Sequence, residues 1–319
     1  MMFPRSFAPM ITLASCWAVG FSPGVDNVTA GETAVRTTVD DVLYWAWTKG
    51  DVYDVQMQTK TSIHLKQGQQ ELKYDSTTTI DGVFVVQSVS AQGIAEVHWT
   101  VRRIRLDNGE GRKRISIDSA GQLAAEDLQP VERSLLSALR PLLVKTFVLR
   151  IDRQATLLGV QELKRQSAVA VDRNNSKPRL DVGEPLFTAG GVKAAFRHVF
   201  VSFPKGEFEL QTIWQKSRNP VSAPVNNSIR FQYQYRGLNV ERDHVVGITG
   251  KYAFSDSGEP STVLKIDHEQ ISGKLVTDAR RNYVKRVDLE LLLKTTAGKE
   301  IDAITTEHSD TQSITIEKK

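Results

Sequence analysis

From Asp41 onward, hydrophobic and polar residues mostly alternate along the chain. In the stretch "DVYDVQMQTK", Tyr53, Val55, Met57 and Thr59 fall on one side, and Asp54, Gln56, Gln58 and Lys60 on the other. That is the period of a half-buried strand. In "SIRFQYQYRG", Ile229, Phe231, Tyr233 and Tyr235 alternate with Arg230, Gln232, Gln234 and Arg236. A helix would scatter those aromatics around its axis, whereas a strand puts them on one face. Similar runs lie near 78–90, 94–106, 112–118, 145–151, 155–163, 243–254, 261–270, 272–278, 283–295 and 311–317. Asp81-Gly82, Gln92-Gly93, Asp107-Asn108-Gly109, Ser257-Gly258 and Ala297-Gly298 punctuate them as turn signals. The pattern predicts long antiparallel strands joined by short loops.

Helical spacing is rare. Between Glu126 and Val144, Leu128, Val131, Leu135, Leu136, Leu139 and Leu143 recur at helical intervals, with Pro130 suited to the first turn and Pro141 to an end or kink. A second short helix is expected over Val192–Val201, after Gly190-Gly191. The two halves of the chain look alike. Lys49-Gly50-Asp51 and Lys205-Gly206-Glu207, 156 residues apart, each open an alternating run. The expected organisation is therefore a first β unit over 41–165 with its helix near 126–144, a connecting segment over 166–203 with a short helix, and a second β unit over 204–317. The fold class is mainly β (α+β). Two related curved antiparallel sheets or half-barrels, with one or two helices, would cover each other's apolar faces.

The N-terminus reads differently. Residues 1–9 carry one positive charge, Arg5, and no acid; Met10–Phe21 is an apolar run, and Ser22-Pro23-Gly24 breaks it. This is the layout of a secretory signal peptide over 1–30. The run is shorter than the roughly 20 residues a membrane-spanning helix needs. Val28-Thr29-Ala30 offers small residues for cleavage before Gly31, while Leu13-Ala14-Ser15-Cys16 fits a bacterial lipobox, with a leader over 1–15 and Cys16 as lipidation candidate. A chance cysteine in a discarded leader is the third reading. The expected location is exported: periplasm or cell envelope, with the membrane involved only through an N-terminal lipid anchor.

Composition limits the chemistry. Cys16 is the only cysteine of the 319 residues, which excludes an internal disulfide and any zinc site built on several thiolates. A net charge of +4 is too small to argue for nucleic acid, and export argues against it. The six histidines form no HExxH pattern; in Asp267-His268-Glu269 a strand turns His268 away from both neighbours. No nucleophile elbow or phosphate loop occurs, and Gly109-Glu110-Gly111 reads as a hairpin turn. No catalytic, cofactor-binding or metal-binding residues are assigned, and an enzyme is not expected.

Binding residues remain. Trp45, Trp47 and Tyr53, with Phe208 and Trp214 in the second half, are candidates to line an apolar groove; the other reading of such aromatics is sheet core. Arg103, Arg105, Arg112 and Arg114 are candidates for a basic patch across one hairpin, meeting anionic headgroups or polysaccharide; the other reading is a solvated face that protects an edge.

The strand "KGDVYDVQMQTKT", the pair "VSAQGIAEV" (89–97), the strand-turn-strand "FVLRIDRQATLLGVQ" (147–161) and "VSFPKGEFELQTIW" come in order. Together with the leader they resemble a family of uncharacterised exported bacterial proteins, a domain of unknown function often described as lipoproteins. The resemblance spans most of 41–316 and implies an envelope location and no known catalytic residues. The expected role is a non-catalytic envelope protein that binds a lipid or other amphipathic ligand, or an envelope partner. The alternative is a structural or surface-assembly β module without a ligand pocket.

Overall fold

The computed structural model describes residues 43–110, 113–121, 129–163, 188–204, 209–218, 227–254, 264–298 and 303–319. The leader, Cys16, Arg112, Phe208 and the polar stretch 172–185 lie outside the described residues.

Strands β1 (Val52–Gln67), β2 (Gln70–Val89), β3 (Ala95–Glu110), β4 (Lys113–Asp118), β5 (Thr146–Ile151) and β6 (Leu157–Glu162) come from the first half of the chain. Strands β7 (Ile213–Arg218), β8 (Asn227–Leu238), β9 (His244–Phe254), β10 (Leu264–Asp278), β11 (Tyr283–Ala297) and β12 (Ile304–Lys318) come from the second. The expected two sheets are not separate bodies. The twelve strands form one antiparallel sheet in the order β6-β5-β3-β2-β1-β12-β11-β10-β9-β8-β7, with β4 also on β3. The join is between the sequence extremes: β1 and β12 pair from Tyr53–Lys318 to Gln67–Ile304.

Local chemistry sets the hairpins. β1 and β2 meet through the two-residue turn Gly68-Gln69, where Gly68 takes φ +58 at no steric cost. Helix α1 (Pro130–Leu139) starts with Pro130 in its first turn and a capping box in which Glu132 accepts from the Gln129 amide at 2.9 Å. It passes into a 3-10 turn at Arg140–Val144, where Pro141 stands. Helix α2 (Ala189–Ala195) is capped by the Thr188 hydroxyl and packs beside β6.

The sheet is strongly curled, and the contacts across its inner side prove it. Its eleven main strands would set β6 and β7 about 48 Å apart if flat. Yet the adjacent residues Ser202 and Phe203 touch both ends. Thr156 donates to Ser202 at 2.8 Å and the Phe203 amide to Gln154 O at 2.9 Å, next to β6; the Phe203 ring meets Trp214 of β7 at 6.4 Å. Likewise, the Trp45 amide bonds Arg153 O beyond β5, and the next amide, Ala46, bonds Asn282 O before β11.

Between these ties lies the core. The segment 196–203 runs inside the curl: Phe196 packs on Phe84 and Trp99, Phe200 on Trp45 and Phe84, and His198 on Phe231 of β8. Phe196, His198, Val199, Phe200, Val201 and Phe203 are all buried. Burying each large apolar side chain contributes about 1.5–3 kcal/mol, so this segment anchors both halves.

Trp99 reaches its place because Gly82 lacks a side chain: a Cβ there would lie 2.2 Å from the Trp99 ring and 2.7 Å from Thr100 O. Gly82→Ala is expected to lower stability by about 1–3 kcal/mol through overpacking, and Phe200→Ala by about 3–5 kcal/mol through the cavity it leaves. Urea unfolding checks both; each should shift the midpoint with little change in slope.

Candidate functional site: the inner face of the curled sheet

The two ends of the inner face are built differently. At the end holding the first residues of β1, the inner positions are sealed: Tyr53, Val55 and Met57 are buried, as are Phe84 on β2, Val287 on β11 and Ile316 on β12. Further along the same strands the seal is lost. Thr59, Thr61, Ile63 and Leu65 on β1 are half-buried, as are Tyr74 on β2, Leu293 on β11 and His308 on β12, and Leu72 is exposed.

A row of polar side chains separates the regions. Asn108 faces Ser76, Ser76 faces Thr61, and Thr61 faces Asp310, each a direct cross-strand pair over β3-β2-β1-β12. All four continue the inner positions occupied nearby by Leu106, Ile80, Met57 and Ile314. Ser76 donates to Asn108 Oδ1 at 2.6 Å, and the Thr61 hydroxyl donates to Asp310. Asp310 is 3% exposed and Asn108 4%. His308, one inner position further out, brings Nε2 to 3.0 Å from Asp310 Oδ2, an ion pair when the ring is protonated. One donor is left over: Asn108 Nδ2 is buried without a hydrogen bond. Such a group costs about 1–3 kcal/mol unless something accepts from it.

Sequence reasoning missed this row, although a signal existed. Asp310 and Gln312 stand in the apolar phase of the alternation that ends Ile314, Ile316. Polar residues at apolar positions mark either an error of register or a built site.

The aromatic groove is corrected. Trp45 is 1% exposed, Trp47 9% and Tyr53 0%, so they line no open groove. The two indoles stack at 4.3 Å and both meet the Tyr53 ring edge-on, under Phe200 and Tyr283. They are the floor of the sealed end because segment 43–47 lies under 196–203. Tyr53 donates to Asp51, which also takes a bond from Lys318. Burial, with the Asp51 charge, pushes the Tyr53 phenol well above its ordinary range, so it stays neutral. Trp214 is half-buried against Tyr233 at 5.7 Å, close to parallel.

Two residues of the basic patch are engaged in ion pairs. Arg103 grips Asp118 through Nε at 2.9 Å and through Nη2, and Arg105 holds Asp81 at 2.8 Å, with Gln56 on the same carboxylate. Arg103 and Arg105 are thus paired on the outer face, and Arg114 is exposed on β4. Two shallow depressions lie outside the curl. One, of about 520 Å³, is ringed by Arg280, Arg281, Tyr283 and Lys285; the other, of about 430 Å³, lies over Asp54, Gly82 and Arg102. Among the described residues, no group of three His, Cys, Asp or Glu side chains is placed to hold a metal ion. No described helix is long and apolar enough to cross a membrane.

No family model matches the chain, and no curated protein does. Solved structures give remote likenesses. A structure of lipid–protein interactions in lipovitellin has 9% identity and TM-score 0.48, over 85% of this chain and 25% of that one. An outer membrane channel from Pseudomonas putida F1 has 7% identity and TM-score 0.22, over 87% and 99%. DynF, from the dynemicin biosynthesis pathway of Micromonospora chersina, has 8% identity and TM-score 0.18, over 92% and 93%. The chain thus spans a quarter of the lipovitellin chain's length. Scores this low establish neither a shared fold nor a role.

The outer-face pairing has a pH signature. The Arg103 hydrogen bond holds the Asp118 carboxyl below its ordinary value of 3.8. Stability from this pair is therefore complete above that value and lost as pH falls through the lower, folded-state pKa. Arg103→Met should show a smaller fall in urea midpoint on acidification than the parent protein does. An equal fall would remove Asp118 from the acid response.

Proposed function

We propose that this chain is a non-catalytic, exported protein of the cell envelope whose curled sheet holds an apolar or amphipathic ligand at its unsealed end. One observation carries the reading. The same strands that are fully packed at one end leave Ile63, Leu65, Tyr74 and Leu293 half-buried, and Leu72 exposed, on the inner side of the other. Apolar positions on the inside of a curl, left partly open, suit a ligand whose own apolar body completes the packing. The apolar run Met10–Phe21 and the resemblance to exported bacterial proteins support the location.

A second reading has its own observation. Leu210, Ile213, Leu238 and Val240 are exposed together around the β7 edge and the β8–β9 turn, and the edge strand β7 has no neighbour on its far side among the described residues. An open edge with apolar flanks is a surface for strand addition by a protein partner.

Substitutions separate the two. Ile63→Glu places a charge on the inner side and should weaken binding of a neutral naphthalene dye about tenfold, while Ile213→Glu leaves it unchanged. Loss of binding in Ile213→Glu alone, or no binding by the parent protein, overturns the container reading. Intact mass of the mature protein from its native host adds the export test. A chain starting near Gly31, or a lipidated Cys16 as first residue, supports export; an unprocessed Met1 refutes it.

A further inference from the structure

The polar row has a chemistry of its own, beyond holding an apolar body. We infer that Asn108, Ser76, Thr61, Asp310 and His308 receive the head of the ligand, and that this head is uncharged and rich in acceptor oxygen, as in an acylglycerol or another neutral acyl ester. The inference rests on the container reading and adds the head-group class.

Three observations fix the class. First, the leftover group is a donor: Asn108 Nδ2 is buried and makes no hydrogen bond. An ester carbonyl, an ether oxygen or a hydroxyl satisfies such a donor, and a hydrocarbon does not. Second, the row holds a buried carboxylate, Asp310. Third, positive side chains are scarce around the row; on β4, Lys113 pairs in register with Glu110. The inner positions from Met57 to Leu65 on β1, Leu72 to Ile80 on β2, Val287 to Ala297 on β11 and Thr306 to Ile316 on β12 hold no Lys or Arg.

An anionic head would thus enter a partly dry site beside a carboxylate, with His308 the only cation on offer at those positions, and that is costly. A cationic head would face Asp310, but Asp310 already accepts from Thr61 and lies against His308, and a cation leaves the Asn108 donor unmet. A neutral oxygen-bearing head meets that donor and avoids both penalties. Its chain would then run outward past Ile63, Tyr74 and Leu293 toward the unsealed end, which fits the order of side chains along the strands.

The test compares heads on one chain. Binding of monolauroylglycerol, laurate and dodecylamine to the full-length protein is measured by titration calorimetry, with a neutral naphthalene dye as a probe of apolar binding alone. The expected result is that monolauroylglycerol binds at least about tenfold more tightly than either charged ligand. Asn108→Ala should cut that preference severalfold while dye binding is retained; the ligand comparison on the parent protein stands even if this variant does not fold. Equal binding of the three, or tighter binding of laurate or dodecylamine, overturns the head-group assignment and leaves the container. Failure of the dye and all three ligands overturns both.

Discussion

Everything in this molecule depends on the contact that Ser202 and Phe203 make with both ends of the sheet. An antiparallel sheet of this width has one face full of Val, Ile, Phe, Tyr and Trp, and a flat version would leave that face in water. The segment 196–203 gives the face something to fold around. Phe196 and Phe200 project to the β1–β3 side, His198 to β8 and Phe203 to β7. Because one short segment serves both halves, the curl and the core form together. The strap at 43–47 acts in the same direction, tying the turn after β5 to the turn before β11.

That arrangement also explains why the two ends of the curl differ. The filling segment and the strap both sit at the end where β1 begins, so the large aromatics gather there. The strands are much longer than the filler: β2 runs for 20 residues and β1, β3 and β10–β12 for 15 or 16. Their remaining length has an inner side with less to pack against. The residues on it become smaller or polar, with Thr59, Thr61, Thr78 and Ser76 in place of aromatics. Burial falls along β1, β2 and β12 for this geometric reason, and the polar row lies where the two regimes meet.

Much of the local structure was legible in the sequence, because a period of two is a direct imprint of the pleat. Tyr53-Val55-Met57 and Ile229-Phe231-Tyr233-Tyr235 face the core as their alternation demands. What alternation could not reveal was the pairing of β1 with β12. Those segments lie at opposite ends of the described chain, and no local signal marks one as the other's neighbour, so a single sheet read as two. The same distance in sequence misled the aromatic assignment. Trp45 and Trp47 do share a face, but whether that face is a groove or a floor depends on Phe200 and Tyr283, which arrive from elsewhere. The arginines of β3 were legible as charge and not as pairs, since Asp81 and Asp118 stand on neighbouring strands. The first part of β2, Gln70 to Thr77, has almost no apolar rhythm; its strand character comes from the tight turn at Gly68 and the partner that turn supplies.

The polar row raises a harder question of cost. Asp310 and Asn108 stand at inner positions where Ile or Val would pack with neighbours such as Leu291 and Leu106. An apolar replacement would remove a leftover donor and a buried carboxylate, each of which opposes folding. A purely structural wall has no use for them there, since the strand register is already set by the turn at Gly68 and by the long apolar ladders on either side. The row is also incomplete by its own chemistry: Thr61 and Ser76 satisfy one atom each of Asp310 and Asn108, and Asn108 Nδ2 is left without a partner. Buried polar networks that close on themselves stiffen a core; this one leaves the Asn108 amide open, which is why the row is read as a site and not as a wall.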